Sequence, residues 1–149
     1  ERIATNRKHQ LFSSQAVVSD MEKNGGGVII NMGSTSWMIG QGGMPCYTTA
    51  KSAIQGLTRG LARDLGPKNI RVNCVVPGAV FTEINQRAGL FDDATAMARL
   101  QGMAGMHVLG RIGTEREIAE AMSYLICAKW TTGAIVDVDG GLGLGLTDD

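Results

Sequence analysis

Apolar residues change their spacing several times along the chain, and each change marks a new element. From about Ala4 to Lys23, Leu11, Phe12, Ala16 and Met21 fall near one face at helical spacing, and the run breaks at Asn24-Gly25-Gly26-Gly27. This predicts a helix closed by a glycine C-cap and turn. Val28-Ile29-Ile30-Asn31-Met32 is a short, largely β-branched run without polar alternation, the pattern of a parallel strand buried on both faces. Beyond the polar stretch Ser34 to Gly43, Ala50, Ala53, Ile54, Leu57, Leu61 and Leu65 recur at helical spacing, and Gly66-Pro67 supplies the stop. Ile70 to Val76 reads as a second strand ended by Pro77-Gly78. Between Ala79 and Gly110 the pattern loosens into a stretch containing Met97, Met103 and Met106, longer than a plain connection, which predicts a partly helical lid. Thr114 with Glu117 three residues later matches a capping box ahead of Ile118, Ala121, Met122 and Leu125. Ala134 to Val138 is the last strand, closed by Asp139-Gly140-Gly141.

Helices alternating with strands predict an α/β fold, a Rossmann-like doubly wound parallel sheet whose ligands bind outside the carboxyl ends of the strands. The loops after Met32, Val76 and Val138 are therefore the places where chemistry is expected. No repeat or low-complexity linker divides the chain, so residues 1–149 read as a single domain. Three strands make a poor sheet for such a fold, and the long helices would leave a face bare. The expectation is a partial domain, the C-terminal half of something larger.

Charge narrows the partners. Fourteen Lys and Arg against fourteen Asp and Glu leave no net charge, which removes the long-range field that nucleic-acid and anionic-membrane binders use. A small molecule or another protein is the expected partner. No apolar stretch approaches the roughly 20 residues needed to span a bilayer. Cys46, Cys74 and Cys127 form no CxxC pair and have no neighbouring His, so no metal site is expected and a reduced, cytoplasmic chain is the default.

Candidate chemistry sits at the strand ends. Gly141-Leu142-Gly143-Leu144-Gly145 looks like a phosphate loop, but such a loop must open a helix, and only four residues follow. It is rejected as a cradle. Tyr47 and Lys51, four apart on a predicted helix, share a face. A tyrosine that shuttles protons at neutral pH needs positive charge nearby, since an unperturbed phenol titrates near 10. Ser34 lies just past the first strand, where a hydroxyl ordinarily satisfies turn backbone. A nucleophilic role is disfavoured by the lack of a G-x-S-x-G elbow, and a donor to a substrate oxygen stays open. Asn6, Pro77-Gly78 and Thr82 are each ordinary alone; their common order carries the weight.

Thr5-Asn6, Phe12, Gln15-Ala16-Val17, Val28 to Ser34, Tyr47-Thr48-Thr49-Ala50-Lys51, Arg71 to Gly78, Gly110-Arg111-Ile112-Gly113 and Asp139-Gly140-Gly141 together resemble the short-chain dehydrogenase/reductases, in family order and nearly end to end. The resemblance implies an NAD- or NADP-dependent oxidoreductase acting on a CH–OH or carbonyl group. It makes Tyr47 the general acid/base and Ser34 the donor to the substrate oxygen. Lys51 would tune Tyr47 and bond the nicotinamide ribose, Tyr47 would also contact the cofactor, and Asn6 would hold a relay water. Pro77, Gly78 and Val80 would line the nicotinamide pocket, and Thr82 would bind the carboxamide region or the diphosphate. The family's N-terminal half, with its glycine-rich first βα turn, is absent, about 100 residues at about 30 per βαβ unit. The 149 residues alone are therefore expected to be inactive. Gly33 to Trp37 and the helix Gly56 to Leu65 look most like bacterial sugar dehydrogenases that oxidise aldoses, with Trp37 offering a ring face to a sugar or serving as a pocket wall. The alternatives are a ketoacyl or secondary-alcohol substrate, or an inactive truncated homologue with a structural or binding role. The family's habit of pairing its long helices across subunits implies a homo-oligomer, a tetramer or a dimer.

Overall fold

Each β-branched run, released from its preceding helix by a turn, enters one parallel sheet. The computed structural model describes residues 2–82 and 93–145; the side chains of residues 2–8, Asp93 and Ala96 lie outside that description. The elements are α1 (Arg2–Lys23), β1 (Gly27–Met32), a 3-10 turn (Thr35–Trp37), α2 (Pro45–Leu65), β2 (Ile70–Pro77), α3 (Asp93–Gly102), α4 (Glu115–Cys127) and β3 (Ile135–Val138). The strands run in the order β1-β2-β3. β2 pairs with β1 from Gly27↔Ile70 to Met32↔Val75 and with β3 from Cys74↔Ile135 to Pro77↔Val138. All three strands thus end on one side, and the loops after Met32, Pro77 and Val138 emerge together.

Alternation along β2 assigns its two faces. Ile70 and Val72 pack with Ala62 and Leu65 of α2 and with Val18 and Met21 of α1, and Cys74 and Val76 pack with Ile54. Val75 points the other way, to Ile118 and Leu125 of α4. Helices therefore cover both faces, as a doubly wound sheet requires. Ile54, Ile70, Val72, Val75 and Leu125 are fully buried, each stabilising the fold by about 1.5–3 kcal/mol relative to exposure. Asn73, on the α4 face, is also fully buried; its Nδ2 donates to Thr131 O (2.9 Å) and its Oδ1 accepts from Ala134 N–H (3.1 Å).

Several boundaries differ from the periodicity. Gly25 and Gly26 do close α1, with Gly26 N–H donating to Met21 O at 2.9 Å, but Gly27 belongs to β1. α2 starts at Pro45, five residues before the first periodic position, because a proline at the first helical position gives up an N–H that would have no partner there. β2 includes Pro77. β3 begins at Ile135, since Ala134 is held by the Asn73 side chain. Within the candidate lid, α3 and a 3-10 turn at Ala104–Met106 supply the expected partial helix, and residues 83–92 lie outside the described residues.

The capping box at α4 is present in both directions, and Arg111 also grips the Glu117 carboxylate at 2.6 Å. The Arg111 bond and the Thr114 backbone and hydroxyl donors hold Glu117 down at about 2, against an ordinary 4.5. A depressed carboxylate contributes stability above its unfolded value and loses it as pH falls towards the folded one. Acid titration should therefore destabilise the wild type progressively between those two values. Glu117→Gln should flatten that limb, as read by the pH dependence of the urea midpoint.

Candidate active site

Met32 ends β1, and its carbonyl is the anchor of the site. Lys51 Nζ donates to it at 3.0 Å and Gln10 Nε2 at 3.2 Å, so α2 and α1 converge on one oxygen. Lys51 is buried, which pushes its ammonium below the ordinary lysine range. The Cys74 thiol is pushed up to about 11 by burial, stays neutral at physiological pH and gives the ammonium no counter-charge. One turn earlier on the same helix stands Tyr47, half-buried, with Lys51 Nζ 5.6 Å from its ring centroid. An ammonium makes three donor bonds, and among the described residues a single one is spent, on Met32. The i, i+4 spacing thus places a phenol and a cation with spare donors side by side.

Gly33 and Ser34 leave β1 against β2. A Cβ at Gly33 would lie 2.8 Å from Val76 Cγ2, so only glycine lets the chain pass there. Ser34 caps the 3-10 turn: its Oγ accepts from Ser36 N–H (3.2 Å) and is 3.1 Å from Ser36 Oγ. Two hydroxyls can share that proton in either direction, so Ser36 can donate to Ser34 and leave the Ser34 O–H for a ligand. Thr35 Oγ1 donates to Pro77 O at 3.2 Å, joining the Ser34 turn to the Pro77-Gly78 turn. Gly78 is pressed against β3's exit, where a Cβ would meet Asp139 Cα at 2.8 Å. Val80 packs its side chain against the α4 cluster and bridges Gly113, which leaves its backbone, not its side chain, for a ligand. Thr82 is half-buried at the edge of the described residues, and Asn6 lies on α1 with its side chain outside the description.

Sequence reasoning missed Gln10, one turn along α1 from Asn6, whose partner is 22 positions away. Trp37 lines a cavity of about 820 Å³ with Ser36, Gln41, Thr48, Thr49 and Ser52, and neither Tyr47 nor Lys51 lines it. The glycine run after β3 is occupied from within: the Asp139 carboxylate accepts Gly141 N–H (2.9 Å) and Gly143 N–H (2.7 Å), so those amides are not free for phosphate. Among the described residues no cluster of His, Cys, Asp or Glu could hold a metal, and no helix is long and apolar enough to cross a membrane.

A parallel sheet wound on both faces, with tyrosine, lysine and serine at its carboxyl edge, is a doubly wound frame whose ligand crevice lies at that edge. A family model described as enoyl-(acyl carrier protein) reductase matches residues 2–143. The chain belongs to the short-chain dehydrogenase/reductase family. D-xylose 1-dehydrogenase of Caulobacter vibrioides is 53% identical over 87 residues, which are 58% of this chain and 35% of the relative. The ligand-free aldohexose dehydrogenase of Thermoplasma acidophilum superposes with a TM-score of 0.87 at 27% identity, over 99% of this chain and 60% of that one. A gluconate 5-dehydrogenase from Burkholderia cenocepacia, solved with NADP and tartrate, gives 0.81 at 29% identity, over 95% of this chain and 54% of that one. The chain thus spans between about a third and three fifths of the length of these relatives.

Proposed function

We propose that the chain carries the catalytic part of an NAD- or NADP-dependent dehydrogenase that oxidises an aldose. The observation that carries this reading is the buried Lys51 ammonium, fixed to Met32 O and set beside the Tyr47 ring with donors to spare. That donor set suits the hydroxyls of a nicotinamide ribose, and the Pro77-Gly78 turn lies at the same end of the sheet. Hydride transfer is the chemistry that a bound nicotinamide supplies. Tyr47 takes the proton of the substrate hydroxyl in oxidation and returns it in reduction. Ser34 holds that same oxygen as its charge develops. Lys51 supplies the positive charge that a phenolate needs beside it, and Asn6 holds the water that carries the proton onward. Pro77, Gly78 and Val80 line the nicotinamide pocket with backbone, and Thr82 holds the carboxamide region or the diphosphate. The cradle for the adenosine half belongs to the portion of the family fold outside these 149 residues, which makes this chain a partial domain.

The aldose follows from the likeness to xylose and aldohexose dehydrogenases. Trp37 is the candidate ring face for a sugar, in a cavity that adjoins Tyr47 through Thr48 and is not itself lined by the tyrosine. The second reading is a ketoacyl or secondary-alcohol substrate, towards which the acyl-carrier description of the matching family model leans. Assaying the full-length gene product with NAD and NADP against aldoses, polyols, secondary alcohols and keto-esters separates the two. Lactone from an aldose is the expected product; reduction of keto-esters alone selects the second reading, and no turnover with any of them leaves a structural or binding homologue. The isolated 15.7 kDa chain is expected to be inactive. Two or four copies are expected to associate, in the cytoplasm.

A further inference from the structure

The mechanism above leaves unused a buried histidine that touches its cofactor turn. His107, 3% exposed, lies between α3 and α4. Its Nδ1 is 2.8 Å from Met103 O, and a carbonyl can only accept, so Nδ1 carries the proton. Its Nε2 is 3.3 Å from Ala79 N, and an amide can only donate, so Nε2 offers a lone pair. Both contacts select the same neutral tautomer. The ring also lies against the turn after β3: a Cβ at Gly140 would stand 3.4 Å from His107 Cδ2, and Leu109 N–H donates to Gly140 O at 3.0 Å. Ala79 follows Pro77-Gly78 directly, and its own carbonyl accepts Gly113 N–H at 2.9 Å.

We propose that His107 is a positioning residue for the nicotinamide-binding turn, its Nε2 holding Ala79 N–H so that Pro77 and Gly78 present their backbone to the nucleotide. The proposal rests on the dehydrogenase reading. Without that acceptor Ala79 N–H is buried and unpaired, and the turn must shift to find water. Apart from Ala79 N–H, nothing donates to His107 Nε2 among the described residues, so the ring serves the turn through one bond.

Two amides of different length test this. In His107→Gln the side-chain oxygen reaches the place of Nε2 and can still accept from Ala79; in His107→Asn the amide reaches only the place of Nδ1 and serves Met103. In the full-length enzyme, measured at saturating substrate, the Asn variant should raise the nucleotide KM about fivefold to tenfold with kcat within about twofold. The Gln variant should stay within about twofold in both. Thermal melts accompany each, because a merely structural histidine would lower Tm in both variants and leave the KM values alike. Equal nucleotide KM in the two variants, or an unchanged KM in Asn, overturns the proposal. Nucleotide reduction by the unsubstituted enzyme in that same assay shows the dehydrogenase reading intact, and its absence overturns both.

Discussion

Replacing Tyr47 by phenylalanine is expected to lower kcat/KM by about 10²- to 10⁴-fold, the range that a positioned general acid/base supplies. The substitution deletes one oxygen and keeps the ring, so the α2 surface beside Lys51 retains its packing and Tm should move little. Nucleotide affinity should hold as well, because Lys51 keeps its bond to Met32 O and its spare donors. The discriminating measurement is kcat against nucleotide Kd in the same preparation. If turnover survives at more than a tenth of wild type, Tyr47 is not the group that moves the proton, and a water or another side chain must be sought at the end of β1. If nucleotide binding falls with turnover, the phenol is also holding the cofactor.

Asn73→Leu is expected to destabilise the fold by about 1–3 kcal/mol without touching any proposed catalytic group. Asn73 is fully buried on β2 and bonds the 131–134 loop twice, donating to Thr131 O and accepting from Ala134 N–H. Leucine fills a similar volume but leaves the Ala134 N–H unpaired, at about 1–3 kcal/mol, whereas Thr131 O keeps its bond from Arg71. Arg71, two residues earlier, donates to Leu125 O and Ile126 O at 2.7 Å each and to Thr131 O at 3.3 Å, so α4 stays tied to β2 at its C-terminal end while the start of β3 is released. Urea denaturation gives the stability change directly. A loss below about 0.5 kcal/mol would mean that the loop finds water in place of Asn73 and that the strand order does not depend on it.

What the sequence made legible was whatever rests on near neighbours. The β-branched runs at Val28 and Ile70, the glycine exit of α1 and the Thr114–Glu117 box are each settled within about four positions, and the structure has them. Pro45 shows the limit: proline reads as a breaker unless it is known to stand at the first helical position, where its missing N–H costs nothing. Gly27 was read as turn because it follows two glycines, yet its N–H meets Asn69 O, 42 positions further along the chain. Gln10 and His107 were passed over for the same reason. Their partners lie 22 and 28 positions away, and no local spacing announces them. Conversely, the tyrosine and lysine could be paired from spacing alone, whereas the burial that depresses the lysine is a product of the packed sheet.

The Met32 carbonyl has two lone pairs, and both are taken, one by a glutamine on α1 and one by the lysine on α2. That oxygen is a mechanical junction: the first helix cannot slide along the second without tugging the end of β1 and, with it, the ammonium. Val18 of α1 and Leu61 of α2, which pack against the same core cluster at the start of β2, are therefore expected to set the position of that junction from a distance. On the proposed mechanism, a change of one methylene on either side chain would be read as an altered turnover rate, without any contact to the substrate.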